Sequence, residues 1–366
     1  MAAGITGSLL GAWLLAAGVV CLGSGCTSVG YYAQAAGGHL ELLRLARPVA
    51  EVVADPATPA ATRERLQLSQ RLRDFAVSEL KLPDNNSYRR YADLKRASVV
   101  WNVVAAPELS LTLKTWCFPV MGCVGYRGYF DSHSADELAA QLKAEGLEVS
   151  SYGVPAYSTL GWSNWVGGDP LLNTFINWPE GALAQLIFHE LTHQVAYAAD
   201  DTTFNESFAV AVERIGVQRW LQAQASAASR AAFEAGESRR KDFRTLTLQY
   251  RLALEQAYTG NASEAEKRSQ KAQAMANMRA DYAKLKAERW GGYAGYDDWF
   301  ANANNASLGV MAAYNELVPE FERLFERSGG DFQVFYAQVQ TLAALPKEQR
   351  RAKLAAGDFT KSQAGR

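Results

Sequence analysis

His189 and His193 stand four residues apart in the run His189-Glu190-Leu191-Thr192-His193. Residues at that spacing share one face of an α-helix, so two imidazoles can offer nitrogens to a single metal ion while Glu190 points beside them. The chemistry implied is zinc-assisted hydrolysis, in which three protein ligands leave the fourth position to water and lower its pKa. Glu190 is the base: it accepts that water's proton as a carbonyl is attacked and passes it to the departing amine.

A third ligand has to come from elsewhere, and Asn205-Glu206-Ser207-Phe208-Ala209 follows after a short gap. Glu206 is the favoured ligand because the two histidines otherwise lack a partner, although Thr203 to Glu206 also fits a capping box that would turn the carboxylate onto backbone. Glu213, two turns on and on the same face, is the reserve ligand, or else the carboxylate that receives a ligand histidine's other N–H. Asp200 and Asp201 rank below both. Tyr152, Tyr157, Tyr258 and Tyr314 are candidates for the donor that hydrolysis needs at the developing oxyanion. The other two of the four histidines, His39 and His133, read as ordinary surface or core residues.

These residues need a helix behind them. Ala182, Leu183, Leu186, Ile187 and Val195 supply an apolar stripe, and Pro179 and Glu180 suit a first turn. Around it the expected class is α+β, mostly α. Residues 27–96 form an N-terminal helical region interrupted at Pro56 to Pro59. In the catalytic core, 97–220, strands are expected over 98–105, 109–116, 124–130 and 147–152. A helix with a capping box at Ser134 to Glu137 falls before the last of them. Residues 147–152 make an edge strand able to hold an extended peptide, and 154–165 make the rim of a cleft. A second helical region occupies 221–346, with long charged stretches from Ala227 to Glu288 and an amphipathic run from Ala306 to Arg327. Residues 347–366, poor in large apolar side chains, read as a flexible tail.

The HELTH and NESFA stretches resemble those of the gluzincins, the zincin metallopeptidases whose third ligand is a glutamate on the next helix. As a whole the chain resembles the bacterial lipoproteins classed as putative aminopeptidases. The resemblance implies a zincin-like core, in which a small mixed sheet is joined to the HExxH and Glu helices. It also implies Zn2+ held by His189, His193 and Glu206, with Glu190 as general base and aminopeptidase action on peptides or proteins. The gap from His193 to Glu206 is shorter than in the large aminopeptidases, and their Gly-x-Met-Glu-Asn segment is absent, which leaves endopeptidase action open. Metzincins need Gly at 196 and His at 199; both positions are alanine, so that class is excluded.

Composition narrows the setting. A chain of 366 residues with net charge −1 and no basic stripe offers nothing to nucleic acid. Leu9 to Leu22 suits a signal segment, and Gly23-Ser24-Gly25-Cys26 a lipoprotein processing site, so residues 1–26 are expected to export and lipid-anchor the chain. An uncleaved N-terminal anchor would export it equally. The expected location is a bacterial cell envelope, on the periplasmic side of a membrane, where Cys117 and Cys123 could close a local disulfide. The rival reading is a non-catalytic helical envelope lipoprotein, a scaffold or adaptor with a structural metal or none; the number of protein ligands at the centre separates the two.

Overall fold

Apolar side chains recur at helical spacing through most of the chain, and the computed structural model is accordingly α+β and mostly α. It describes residues 26–118, 122–156, 159, 167–311 and 317–357. The first elements are α1 (Cys26–Leu45), β1 (Arg47–Pro48), α2 (Val49–Ala54), α3 (Ala60–Ser78), β2 (Arg90–Ala92) and β3 (Val100–Ala106). Then come β4 (Trp116–Phe118), β5 (Gly122–Val124), β6 (Arg127–Tyr129), α4 (Ser132–Ala144), β7 (Glu148–Val154) and β8 (Leu171–Leu172). The remainder is helical: α5 (Glu180–Thr192), α6 (Thr202–Ala223), α7 (Ala227–Thr259), α8 (Glu264–Glu288), α9 (Asp297–Asn302), α10 (Asn305–Val310), α11 (Val318–Arg327), α12 (Phe332–Ala343) and α13 (Lys347–Ala356).

The strands make small sheets. β3 pairs antiparallel with both β6 and β7, with Val103 opposite Arg127 and Ser151, and α4 covers one face through Ala135, Ala139 and Leu142. β2 joins β1 antiparallel and β8 parallel, which sets β8 just ahead of α5. β4 and β5 form a ribbon closed by a Cys117–Cys123 disulfide. Among the described residues no helix is long and apolar enough to cross a membrane.

The main core runs from Leu42 to Leu354 and gathers both ends of the chain around α5 and α6. Phe75 of α3 stacks on Phe188 of α5 and meets Trp220 of α6 edge-on at 5.2 Å. On the other side Phe204 and Phe208 pack against Phe321 of α11. Glycine at 216 is needed for the packing of α6 on Phe188 and Leu80, because a Cβ there would lie 2.6 Å from Leu80 Cδ1 and 3.0 Å from Phe188. A second core holds the hairpin of α7 and α8, where Phe243, Tyr250 and Leu254 meet Met278 and Tyr282.

Several expectations are corrected. Residues 109–115 form no strand; Leu111 and Leu113 pack toward α10 instead. The cap of α4 is Asp131, which accepts from Ser134 N at 2.8 Å, so no box forms at Ser134 to Glu137. The charged stretch from Ala227 breaks at Gly260 and restarts from a capping box at Ser263 and Glu266. The supposed tail is α13 as far as Ala356, with Arg350 fully interior. Residues 1–25, most of the expected rim, Tyr157 and Tyr314 lie outside the described residues.

Arg350 lies between Asp200 and Asp201, at 2.9 and 3.0 Å, and Arg351 joins the second. Asp201 also caps α6 through Phe204 N. Burial opposes its charge, but Arg351, the Phe204 amide and Arg350 outweigh burial and hold the carboxyl below its ordinary 3.8. Its stabilising effect is therefore complete above the unfolded pKa and lost as pH falls through the folded one. Asp201→Ala should cost about 3–5 kcal/mol, because it strands buried arginine charge and removes a cap; urea unfolding at neutral pH measures it.

Candidate metal centre

Helix α5 starts after Pro179, and Glu180 in its first turn accepts from Trp220 Nε1 at 2.9 Å and Ser229 Oγ at 2.7 Å. One carboxylate thus ties α5 to both α6 and α7. Leu183, Ile187, Phe188 and Leu191 are interior, while His189 and Glu190 on the opposite side line a cleft of about 740 Å³. His193 is the C-terminal cap residue but keeps helical dihedrals, so it stays on the His189 face.

The next helix is placed by Asn205. Its amide donates to Ala198 O and accepts from Ala198 N, both at 2.8 Å, which clamps the connecting loop to the first turn of α6. Glu206 follows directly and turns toward the histidines. The alternative role for Glu206, in a capping box at Thr203, is absent because Asp201 is the cap.

Three candidate ligand residues converge. The Nε2 atoms of His189 and His193 are 3.1 Å apart, and Glu206 carboxylate oxygens lie 3.2 Å from the first and 3.6 Å from the second. Tetrahedral zinc with bonds of about 2.0–2.1 Å sets its ligand atoms about 3.3 Å apart, so the triangle fits the ion. Two imidazole nitrogens facing each other at hydrogen-bond distance also require a cation or a proton between them. On the far side of the ring, His189 Nδ1 meets Glu213 at 2.8 Å, which fixes Nδ1 as donor and leaves Nε2 for the metal. Glu213 therefore approaches the ring from the edge opposite Glu206. Among the described residues, buried His193 Nδ1 has no hydrogen-bond partner.

Electrostatics divide the pair. Burial disfavours a charged His189, but hydrogen bonds to Glu206 and Glu213 outweigh it and lift the pKa to about 10. Burial and then the neighbouring His189 push His193 down to about 4. Without metal, one proton resides on His189 between two carboxylates.

The remaining candidates are not brought together. Asp200 and Asp201 are engaged by Arg350 and Arg351. Tyr258 bonds Asn305 at 2.8 Å in the second core, and Tyr152 bonds Asn102 on the sheet. His133 pairs with Glu137 on the surface. Tyr126 was not among the candidates: it sits in the β5–β6 connection, where burial, Tyr31, Tyr152 and Glu206 together raise its phenol pKa. Glu206 is thus within electrostatic reach of a tyrosine that stays protonated. The only sequence cue for it is an aromatic residue in a tight glycine-flanked turn, Gly125-Tyr126-Arg127-Gly128.

Zinc uptake should release a proton, because a ligand imidazole must be neutral at Nε2 and His189 starts protonated. Apparent affinity should therefore rise with pH up to about 10, as calorimetry in buffers of different ionisation enthalpy would show. Glu213→Gln should weaken zinc binding by roughly 10–100-fold at neutral pH, measured against a competing chelator.

A sequence profile of the family described as "putative aminopeptidase" matches residues 30–354. No curated protein and no solved structure gives a significant match. The matched span takes in both histidines, Glu190 and Glu206, and by this coverage the chain belongs to the putative aminopeptidase family.

Proposed function

We propose that the protein is a zinc-dependent peptidase of the gluzincin type, with aminopeptidase action as its expected specificity. The observation that carries this is the His189, His193 and Glu206 triangle, open to a cleft that Glu190 also lines. Two imidazoles and one carboxylate suit zinc and leave a position for water. A bound zinc ion would supply Lewis acidity to a peptide carbonyl and to the attacking water.

The chain's own groups do the rest. Glu190 takes the water's proton and delivers it to the departing amine. Glu213 holds the His189 ring in one tautomer through Nδ1. Tyr126, kept protonated by its surroundings, is the donor we assign to the developing oxyanion. The family description supports peptide substrates. The Cys117–Cys123 disulfide supports an oxidising compartment, in keeping with an exported, lipid-anchored envelope protein.

Glu190→Gln should retain stoichiometric zinc, read by elemental analysis, while turnover falls by about 10²–10⁴-fold. Full activity in that variant would defeat the peptidase reading. Peptides with free and acetylated N-termini decide the specificity: acetylation should abolish cleavage, and equal rates for both would make the enzyme an endopeptidase.

A further inference from the structure

The cleft before the metal centre has walls of opposite charge. Glu190, Glu206 and Glu213 come from α5 and α6, where Arg214 also lines the cleft but pairs with Glu322 at 3.5 Å, whereas α7 brings Arg239, Arg240 and Arg244 together with Glu237. Positions 236, 240 and 244 are one turn apart and share a face. Gly236 leaves that face open: a Cβ there would meet nothing nearer than an Arg240 nitrogen at 4.0 Å.

Of the three arginines only Arg240 is neutralised, by Glu237, and Gln185 Oε1 accepts from it at 2.9 Å. Arg239 lies over the Tyr293 ring at 4.3 Å. Among the described residues neither Arg239 nor Arg244 has a carboxylate partner. Burial raises the Tyr296 phenol while Arg240, Arg239 and Arg244 act against it, which places three cations within electrostatic reach of one hydroxyl. Arg239 and Arg244 thus bring two guanidinium charges to the cleft with no carboxylate partner among the described residues, and an anion in the cleft compensates them. Guanidinium groups favour carboxylates, which they bind through paired hydrogen bonds.

The size of the space limits what can reach both walls. An extended chain advances about 3.3–3.6 Å per residue, so a volume of about 740 Å³, roughly 11 Å across, spans about three residues. We propose that Arg239 and Arg244 bind a carboxylate of the substrate within about three residues of the scissile bond. The carboxylate is either an acidic side chain or the free C-terminus of a short peptide. This inference rests on the peptidase reading of the same cleft.

Three probes separate the sources: Ala-Ala-Ala, its C-terminal amide, and Ala-Glu-Ala-amide. A carboxylate-bearing peptide should show a KM about tenfold below that of the plain amide, a preference that salt weakens. Preference for Ala-Ala-Ala alone assigns the terminal carboxylate, for Ala-Glu-Ala-amide alone the side chain, and for both any carboxylate. R239Q/R244Q should bring the ratio toward parity, and R239K/R244K should retain part of it. Equal treatment of all three peptides by the wild type, or an equal loss on all three in R239Q/R244Q, overturns the proposal. Calorimetry on zinc-loaded E190Q, with and without R239Q/R244Q, repeats the comparison as binding. If no peptide is hydrolysed by the wild type, the peptidase reading fails alone, and the binding difference between acid and amide still decides the arginine wall.

Discussion

Two imidazole nitrogens 3.1 Å apart, with carboxylate oxygens 3.2 and 3.6 Å away, form a cluster that only a cation or a proton stabilises. The lone pairs otherwise face one another inside a partly desolvated pocket, where repulsion is screened less than in water. The metal-free chain answers with a single proton, drawn to His189 and refused by His193. A divalent ion satisfies all three ligands at once, which the proton cannot do. The rest of the structure can be understood as what keeps these atoms from moving apart.

That work is done largely from a distance. The loop between α5 and α6 is gripped by Asn205 at one end, and Asp201 in the same loop is gripped by Arg350 and Arg351, about 150 residues later. On the other flank Asn85 donates to Gln194 at 2.7 Å, just beyond His193. Asn85's loop is in turn carried by buried Arg73, which donates to Ser87 O and Pro83 O. Gly168, with φ +70°, lets a neighbouring segment approach that loop; a Cβ there would lie 2.4 Å from Ser87 N. The N- and C-terminal helices are therefore supports of the site as much as flanking layers. A ligand set must be held by groups whose own positions are fixed, and here polar clamps inside an apolar core fix them.

This arrangement explains what could be read from the residues alone. That His189 and His193 share one helix face was legible because spacing, apolar stripe and first-turn chemistry all lie within one helix. The choice between Glu206 as ligand and Glu206 as cap was not local: it depends on Asp201 taking the cap, and Asp201 is stabilised by α13, which composition had marked as a tail. Leu109, Leu111 and Leu113 alternate as a strand would, yet Leu111 and Leu113 pack toward α10 and, among the described residues, no strand pairs with this stretch. Alternation reports a buried side and not a hydrogen-bonding partner. Nothing in the sequence places the turn of Tyr126 within electrostatic reach of Glu206, because that proximity joins segments 80 residues apart.

Three glutamates surround His189, and geometry alone divides their tasks. Glu206 approaches Nε2, the edge from which a metal is bound, whereas Glu213 approaches Nδ1 at the opposite edge. A carboxylate at Nδ1 cannot reach the ion held at Nε2, but it makes the ring a stronger donor by accepting its other proton. Glu190, adjacent in the chain, lines the cleft and is the group proposed for proton transfer. Interchanging any two would need a ring flip or a shift of helix register, and the polar clamps on both sides of the loop oppose the second. The three carboxylates and the arginines of α7 line the same cleft, and on the proposed reading the field between them would orient a short peptide whose carboxylate is drawn to the arginines.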